Sequence, residues 1–234
     1  MHNDNSRIPS ELLYGRCRGR SLSDYLLYII NNHLPKWKID LDLSPAFPFN
    51  DIFPIPVNEV RLEIGFGRGE HLLRQAINNP NVGFIGAEPF VNSLAKCVKS
   101  LEDLKLSNIL LYDDNAINLL DWLPSNSIDV IYLLYPDPWI KKKHWKRRFI
   151  SQKNINRFAR VLKRNGMFYF ASDINHYVNW TLLYFFNNNS FQWIAEDSSN
   201  WTNPFNDWVP TYYEEKAKYS GRNTTYLSFK KIFN

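Results

Sequence analysis

A mainly parallel, doubly wound α/β sheet is the fold this sequence predicts. Three observations carry that expectation. From residue 60 onward, short apolar runs alternate with stretches of helical periodicity. The run IDVIYLLYP (128–136) is almost continuously apolar, as a central strand buried on both faces must be. The glycine-rich EIGFGRG (63–69) stands where a strand would hand over to a helix.

The elements follow in chain order. Residues 1–57 differ from the rest and predict an N-terminal basic arm packed on a main domain, 58–234. The arm holds RCRGR (16–20), with Arg16, Arg18 and Arg20 exposed. SLSDYLLYIINNHL (21–34) then reads as a short helix begun by Ser21 or Ser23, whose hydroxyls can cap the first free N–H groups. SPAFPFNDIFPIP (44–56) carries too many prolines for regular structure. VRLEIG (60–65) is a strand and GEHLLRQAINN (69–79) a helix. NVGFIGAE (81–88) is a strand, followed by a helix over 89–105 that opens on Pro89, whose missing N–H costs nothing in a first turn. SNILLYDD (107–114), NAINLLDWL (115–123) and the apolar run at 128–136 give strand, short helix and strand. SQKNINRFARVLKRN (151–165) is a helix stopped by Gly166, and GMFYFASD (166–173) a strand. A helix near 175–188 precedes two closing strands, FQWIAED (191–197) and TTYLSFKK (224–231). Between the last two, WTNPFNDWVP (201–210) reads as a mobile loop able to close over a substrate.

Composition narrows the function. With 234 residues, 44% of them hydrophobic, the chain can bury a core and is not disordered by composition. No apolar run approaches a membrane span, and the polar start MHNDNSRIPS is not a signal peptide. The only cysteines, Cys17 and Cys97, lack histidine partners at ligand spacing, so neither a disulfide framework nor a metal site is expected, and a reducing cytoplasm fits. The net charge is +5, yet KKKHWKRR (141–148) alone contributes +6, so the remainder sums to 5 − 6 = −1. The basicity is therefore one patch. It can be a solvated surface, but its interleaved Trp139, His144 and Trp145 offer stacking faces among cations, which suits a nucleic acid.

The glycine loop is G-x-G-x-G, neither a dinucleotide fingerprint nor a Walker loop. Gly65 and Gly67 allow a tight turn and close approach to a ligand. Glu63, two residues before the first glycine, would repel a pyrophosphate and attract a cation. S-adenosylmethionine, with its ammonium and sulfonium, suits such a loop better than a nicotinamide dinucleotide. Glu88 ends the next strand, where a carboxylate commonly accepts ribose hydroxyls. The third strand ends in YDDNA, leaving Asp113, Asp114 or Asn115 to meet an adenine, and the fourth ends in YPDPW. Four successive strand ends thus carry polar groups, which is where ligands bind in such sheets.

EIGFGRGE, the acid at 88, YPDPW with its HWKRR tail, ASD (171–173), TYYEEK (211–216) and the arm GRCRGRSLS (15–23) together resemble the bacterial tRNA (guanine-N7)-methyltransferases across nearly the whole chain. The resemblance implies a class I, Rossmann-like methyltransferase fold with an antiparallel closing strand. It implies a cytoplasmic enzyme, monomer or homodimer, that methylates N7 of a variable-loop guanosine in tRNA, with S-adenosylmethionine as donor, no metal and no membrane. By motif, Glu63, Gly65, Gly67, Glu88, Asn115 and Asp137 line the donor site, and Asp137 is the catalytic residue. Lys141, Asp173, Thr211, Tyr212, Tyr213 and Glu214 meet the substrate. Lys143, His144, Lys146, Arg147 and Arg148 contact the RNA backbone. The chain departs from the family at Asn115, Tyr135, Ile140 and Ser172, where aspartate, phenylalanine, proline and threonine are usual. An amino-methyltransferase carries a near anagram of PDPW, D-P-P-[YFW], but lacks the basic tail.

Overall fold

The computed structural model describes residues 11–233; the polar start at 1–10 lies outside them. Seven strands form one sheet in the order β3-β2-β1-β4-β5-β7-β6. They are β1 (Glu59–Ile64), β2 (Val82–Ala87), β3 (Ile109–Tyr112), β4 (Ile128–Leu134), β5 (Leu162–Ser172), β6 (Phe191–Trp193) and β7 (Thr225–Lys231). The first five pair in parallel, and β7 inserts antiparallel between β5 and β6. The fold is the class I methyltransferase arrangement, an α/β sheet wound in both directions from β1 and β4. Strand order reverses between those two, so a crevice opens beyond their carboxyl ends.

The helices are α1 (Asp24–Asn32), α2 (Glu70–Asn78), α3 (Val91–Leu104), α4 (Ala116–Trp122), α5 (Gln152–Val161), α6 (Asn175–Phe186), α7 (Ser199–Thr202) and α8 (Tyr212–Tyr219). Alternation along the strands explains the two covered faces. Leu62, Ile64, Ile131, Leu133, Phe168 and Phe170 point to one side, where Phe158 of α5 and Tyr177 of α6 pack. Phe84, Ile109 and Leu111 point to the other, against Leu72, Leu94, Val98 and Leu101. Ser23 caps α1 through Leu26 N, and residues 37–39 lie along β3, with Ile39 N bonded to Leu111 O and Leu111 N to Trp37 O. Arm residues Ile39, Phe49, Phe53 and Val57 are buried in the same core as the strands.

Several boundaries differ from the sequence reading; β6 ends at Trp193, short of 197. Helix α5 ends at Val161, well before Gly166, because Leu162 already pairs with Ile128 while Met167 pairs with Val130. The intervening residues bulge, and sheet pairing overrides the helical preference of LKRN. Lys163 Nζ holds Asp129 at 2.7 Å and the buried Lys231 Nζ holds Leu162 O at 2.6 Å across that bulge. Helix α3 begins at Val91 rather than at Pro89, since Glu88 Oε1 accepts from Phe90 N and keeps the preceding residues extended. The segment read as a mobile loop opens on the last two residues of α7 and leads into α8. Phe205 and Trp208 between them pack against Tyr169 and Tyr226, and Gln75 Nε2 donates to Asp207 O at 2.7 Å.

Gly166 tests the bulge. A Cβ there would stand 2.8 Å from Lys163 O and 3.0 Å from Asp129 O, both rigid backbone atoms. Gly166→Ala is expected to lower the urea-unfolding free energy by about 1–3 kcal/mol. An unchanged midpoint and slope would show that the bulge relaxes freely.

Candidate functional site

The site grows from the end of β1. Gly65, Gly67 and Gly69 have φ of 73°, 60° and 85°, a left-handed run that only glycine adopts without strain. Gly69 N bonds Phe66 O at 2.9 Å, closing the turn, and Gly69 O accepts Leu73 N at 2.8 Å to start α2. In front of Gly65 there is open space: an added Cβ would meet nothing within 4 Å. The loop can therefore bring its backbone against a ligand.

Two acids flank the loop. Glu63 is 4% exposed, and its Oε2 lies 2.7 Å from Nδ1 of the equally buried His71 on α2. Sequence reasoning missed His71, since nothing in the sequence separates it from an ordinary helix residue. Glu88 accepts Gly67 N at 2.8 Å and Phe90 N at 2.9 Å, tying the glycine loop to the turn after β2. Its burial, with smaller pushes from Asp137 and Glu63, outweighs those two bonds and lifts its carboxyl to about 7. Glu63, Glu88 and Asp137 therefore share one mouth.

The third strand end separates its candidates. Asp113 pairs with Lys38 at 2.8 Å, and Asp114 is exposed. Asn115 is buried: its Oδ1 caps α4 through Ile117 N at 3.1 Å, and its Nδ2 donates to Glu11 O at 2.9 Å. The arm therefore reaches the strand ends. It continues over the start of α3, where Cys17 O accepts Val91 N, Asn92 Oδ1 accepts Gly19 N, and Arg16 sits over Phe90.

The fourth strand end is the corner 135–140. Tyr135 and Trp139 have φ of 51° and 41°, unusual for bulky side chains and costing about 1 kcal/mol each or more. Tyr135 is held by its N–H to Ala171 O at 2.8 Å and its hydroxyl to Thr224 Oγ1 at 2.9 Å. Asp137 projects exposed from the corner, with the surrounding protein raising its carboxyl above the usual range. Lys142–Arg147 then form a 3-10 turn. Lys141, Lys142, Lys143 and Lys146 are exposed. Arg147 stacks between Trp139 at 4.9 Å and Tyr14 at 5.5 Å. His144 meets the edge of Trp139, and desolvation together with Arg147, Lys143 and Lys141 holds its pKa below the usual value. Arg148, expected to contact phosphate, is 4% exposed and points inward.

The remaining predicted residues stand just after β5 and at the start of α8. Asp173 Oδ2 is gripped by Arg222 Nε at 2.6 Å, a partner the sequence did not signal. Thr211 caps α8 through Glu214 N. Glu214 is 1% exposed; it accepts Trp208 Nε1 at 2.5 Å and Tyr226 OH at 3.1 Å and pairs with Lys218 at 2.6 Å. It braces α8 from within. Tyr212 and Tyr213 are the exposed faces of that helix. With Gly67, Arg68, Phe90, Asn92 and Lys96 they line a cleft of about 140 Å³. The donor set, open glycine backbone with carboxylates to either side, fits a ligand bearing hydroxyls and positive charge. Among the described residues no group of His, Cys, Asp and Glu is arranged to hold a metal ion, and no described helix is long and apolar enough to cross a membrane.

A family model described as "Putative methyltransferase" matches residues 57–227. The chain is 54% identical over 222 residues to a tRNA (guanine-N(7)-)-methyltransferase of Bartonella quintana, covering 94% of this chain and 95% of that one. It is 49% identical over 223 residues to the protein of that name from Rhizobium johnstonii, covering 95% and 96%. Among solved structures, the aminoglycoside resistance methyltransferase NpmB1 superposes with a TM-score of 0.56 at 15% identity, covering 81% of this chain and 95% of that one. An antibiotic-related methyltransferase gives 0.53 at 18%, covering 80% and 96%. These structures share the fold.

The position of Glu88 sets a pH dependence. The unfolded chain ionises this group near 4.5 and the folded chain at about 7, so between those values the folded chain keeps a proton the unfolded one has lost. Its contribution to stability is therefore greatest below about 4.5 and declines as pH rises to about 7. A ligand that hydrogen-bonds the carboxylate favours the ionised form, so affinity for such a ligand should rise through pH 7 with proton release. Calorimetry in buffers of different ionisation enthalpy measures both. Glu88→Gln should abolish the dependence; a flat wild-type profile would remove Glu88 from the binding step.

Proposed function

Since the chain belongs to the tRNA (guanine-N7)-methyltransferase family, we propose that it carries the methyl group of S-adenosylmethionine to N7 of guanosine 46 in the tRNA variable loop, by in-line displacement. The observation that carries this reading is the corner at 135–148. It sets an exposed carboxylate, Asp137, at the mouth shared with Glu63 and Glu88, immediately beside four exposed lysines.

The chemistry asks little of the protein beyond placement. Guanine N7 has an in-plane lone pair, so no base need remove a proton. The donor brings a methyl on a sulfonium and leaves as a neutral thioether, while the guanine gains the positive charge. Glu63, with its orientation set by His71, and Glu88 hold the donor's cationic and ribose parts, and Gly65 and Gly67 let it approach the backbone. Asn115 borders the adenine side. Asp137 stands between donor and guanine, where its negative charge favours the charge that develops on the ring. Holding both reactants in line supplies the rest.

Recognition is divided between the two flanks. Asp173, oriented by Arg222, takes the guanine N–H edge. Glu214 acts from beneath, fixing α8 so that Thr211, Tyr212 and Tyr213 border the base. Lys141, Lys142, Lys143 and Lys146 grip phosphates, with Arg147 and His144 holding Trp139 under them. Phosphate contacts position the RNA and the pocket reads the base. Residues 1–57 serve as an arm of the catalytic domain 58–234, and the enzyme works in the cytoplasm.

The reading is tested by incubating the protein with labelled S-adenosylmethionine and unmodified tRNA, then cleaving with borohydride and aniline. One cut in the variable loop is the expected result; label without a cut would place the methyl on another atom. Replacing Lys142, Lys143 and Lys146 by alanine should reduce the slope of log affinity against log salt by about 2. An unchanged slope would refute the phosphate grip.

A further inference from the structure

Arg148 closes the densest cationic stretch of the chain, yet it is 4% exposed. Its Nε donates to Pro138 O at 2.8 Å. Its guanidinium lies over three aromatic rings, Trp145 at 5.2 Å, Tyr177 at 5.0 Å and Trp180 at 4.9 Å. Neither Nη1 nor Nη2 has a hydrogen-bond partner among the described residues. A buried guanidinium without a carboxylate is costly unless something replaces its water, and three ring faces do so here.

The carbonyl it holds is the one whose rotation matters. Proline rings fix φ at Pro136 and Pro138, and Asp137, which precedes Pro138 and lacks the positive φ of Tyr135 and Trp139, is biased towards extended backbone. The freedom left downstream of Asp137 is rotation of the peptide joining Pro138 to Trp139. Trp139 sits at φ 41°, a conformation it would leave if released. Among the described residues, the bond from Arg148 is the one hydrogen bond to the backbone of 136–139. Tyr177 and Trp180 belong to α6, and Trp180 Nε1 is itself bonded to Ile150 O at 2.9 Å, so the anchor reaches the core.

We infer that Arg148 is a positioning residue: it locks the Pro138–Trp139 peptide from below and thereby aims the Asp137 carboxylate, and it touches no phosphate. The inference rests on the proposed methyl-transfer role of Asp137. Lysine cannot replace it, because an ammonium cannot both lie flat on three rings and direct a lateral N–H at Pro138 O.

The test pairs Arg148→Lys with Trp180→Phe, which loosens the cage and leaves every charge in place. With Arg148→Lys, kcat at saturating tRNA and donor should fall about 10–100-fold, with tRNA affinity and its salt slope unchanged. Trp180→Phe should shift kcat the same way. Weaker tRNA binding, a flatter salt slope and a preserved kcat would overturn the inference and restore Arg148 to the phosphate grip. The Pro138 carbonyl 13C and Trp139 amide 15N chemical shifts report the Arg148–Pro138 hydrogen bond without any turnover. Both variants should move them, with the β1 resonances unchanged. Unmoved Pro138 and Trp139 resonances would overturn the positioning role even if the wild-type protein methylates tRNA. A wild-type protein that fails to methylate tRNA, with these resonances moved in the variants, would sink only the methyl-transfer reading. If Arg148→Lys loses donor binding through misfolding, Trp180→Phe decides alone.

Discussion

Two bulky residues, Tyr135 and Trp139, occupy left-handed backbone conformations on either side of Pro136, Asp137 and Pro138. Such a corner persists only when its surroundings over-determine it, and the molecule supplies that constraint from three directions. Strand β5 and Thr224 hold Tyr135, Arg148 holds the Pro138 carbonyl, and His144 with Arg147 encloses the Trp139 ring. The strand order puts this corner at the switch between β1 and β4, so the strain is placed where the sheet opens to ligands.

Around the corner the two sides of the mouth are joined by buried polar contacts. Glu63 meets His71, whose ring packs on Trp208; Trp208 donates to Glu214, which accepts from Tyr226 and anchors α8. Glu88 separately ties the glycine loop to the turn before α3. The carboxylates that a one-dimensional reading assigns to ligands thus have structural bonds as well. Each oxygen accepts more than one hydrogen bond, so Glu88 can hold Gly67 N–H and still face a ribose. Glu214 differs, because full burial with Trp208, Tyr226 and Lys218 around it makes it a brace for the tyrosines of α8.

The strands, their alternation and the strand-end acids were legible because period-2 patterning and turn residues are local properties. What was not legible depends on distant partners. LKRN has helical preference, and only pairing of Leu162 with Ile128 ends α5 early. WTNPFNDWVP has the composition of a loop, and only Phe205 and Trp208 packing on β5 and β7 aromatics fixes it. His71 and Arg222 carry no local signal, since each matters through an acid brought near by folding. Arg148 is the sharpest case. Seven of the eight residues at 141–148 lie exposed or half-buried, while the eighth is turned inward by aromatic rings contributed from 29 and 32 positions further along the chain, at Tyr177 and Trp180.

The central claim is that Asp137, fixed in that corner, acts on the reacting guanine and not on binding. Single-turnover methylation by Asp137→Ala, with tRNA and donor both saturating and both dissociation constants measured, addresses it directly. The account predicts a rate lower by more than about 100-fold with tRNA affinity within a small factor of wild type. A near-normal single-turnover rate, or a defect confined to tRNA affinity, would contradict it.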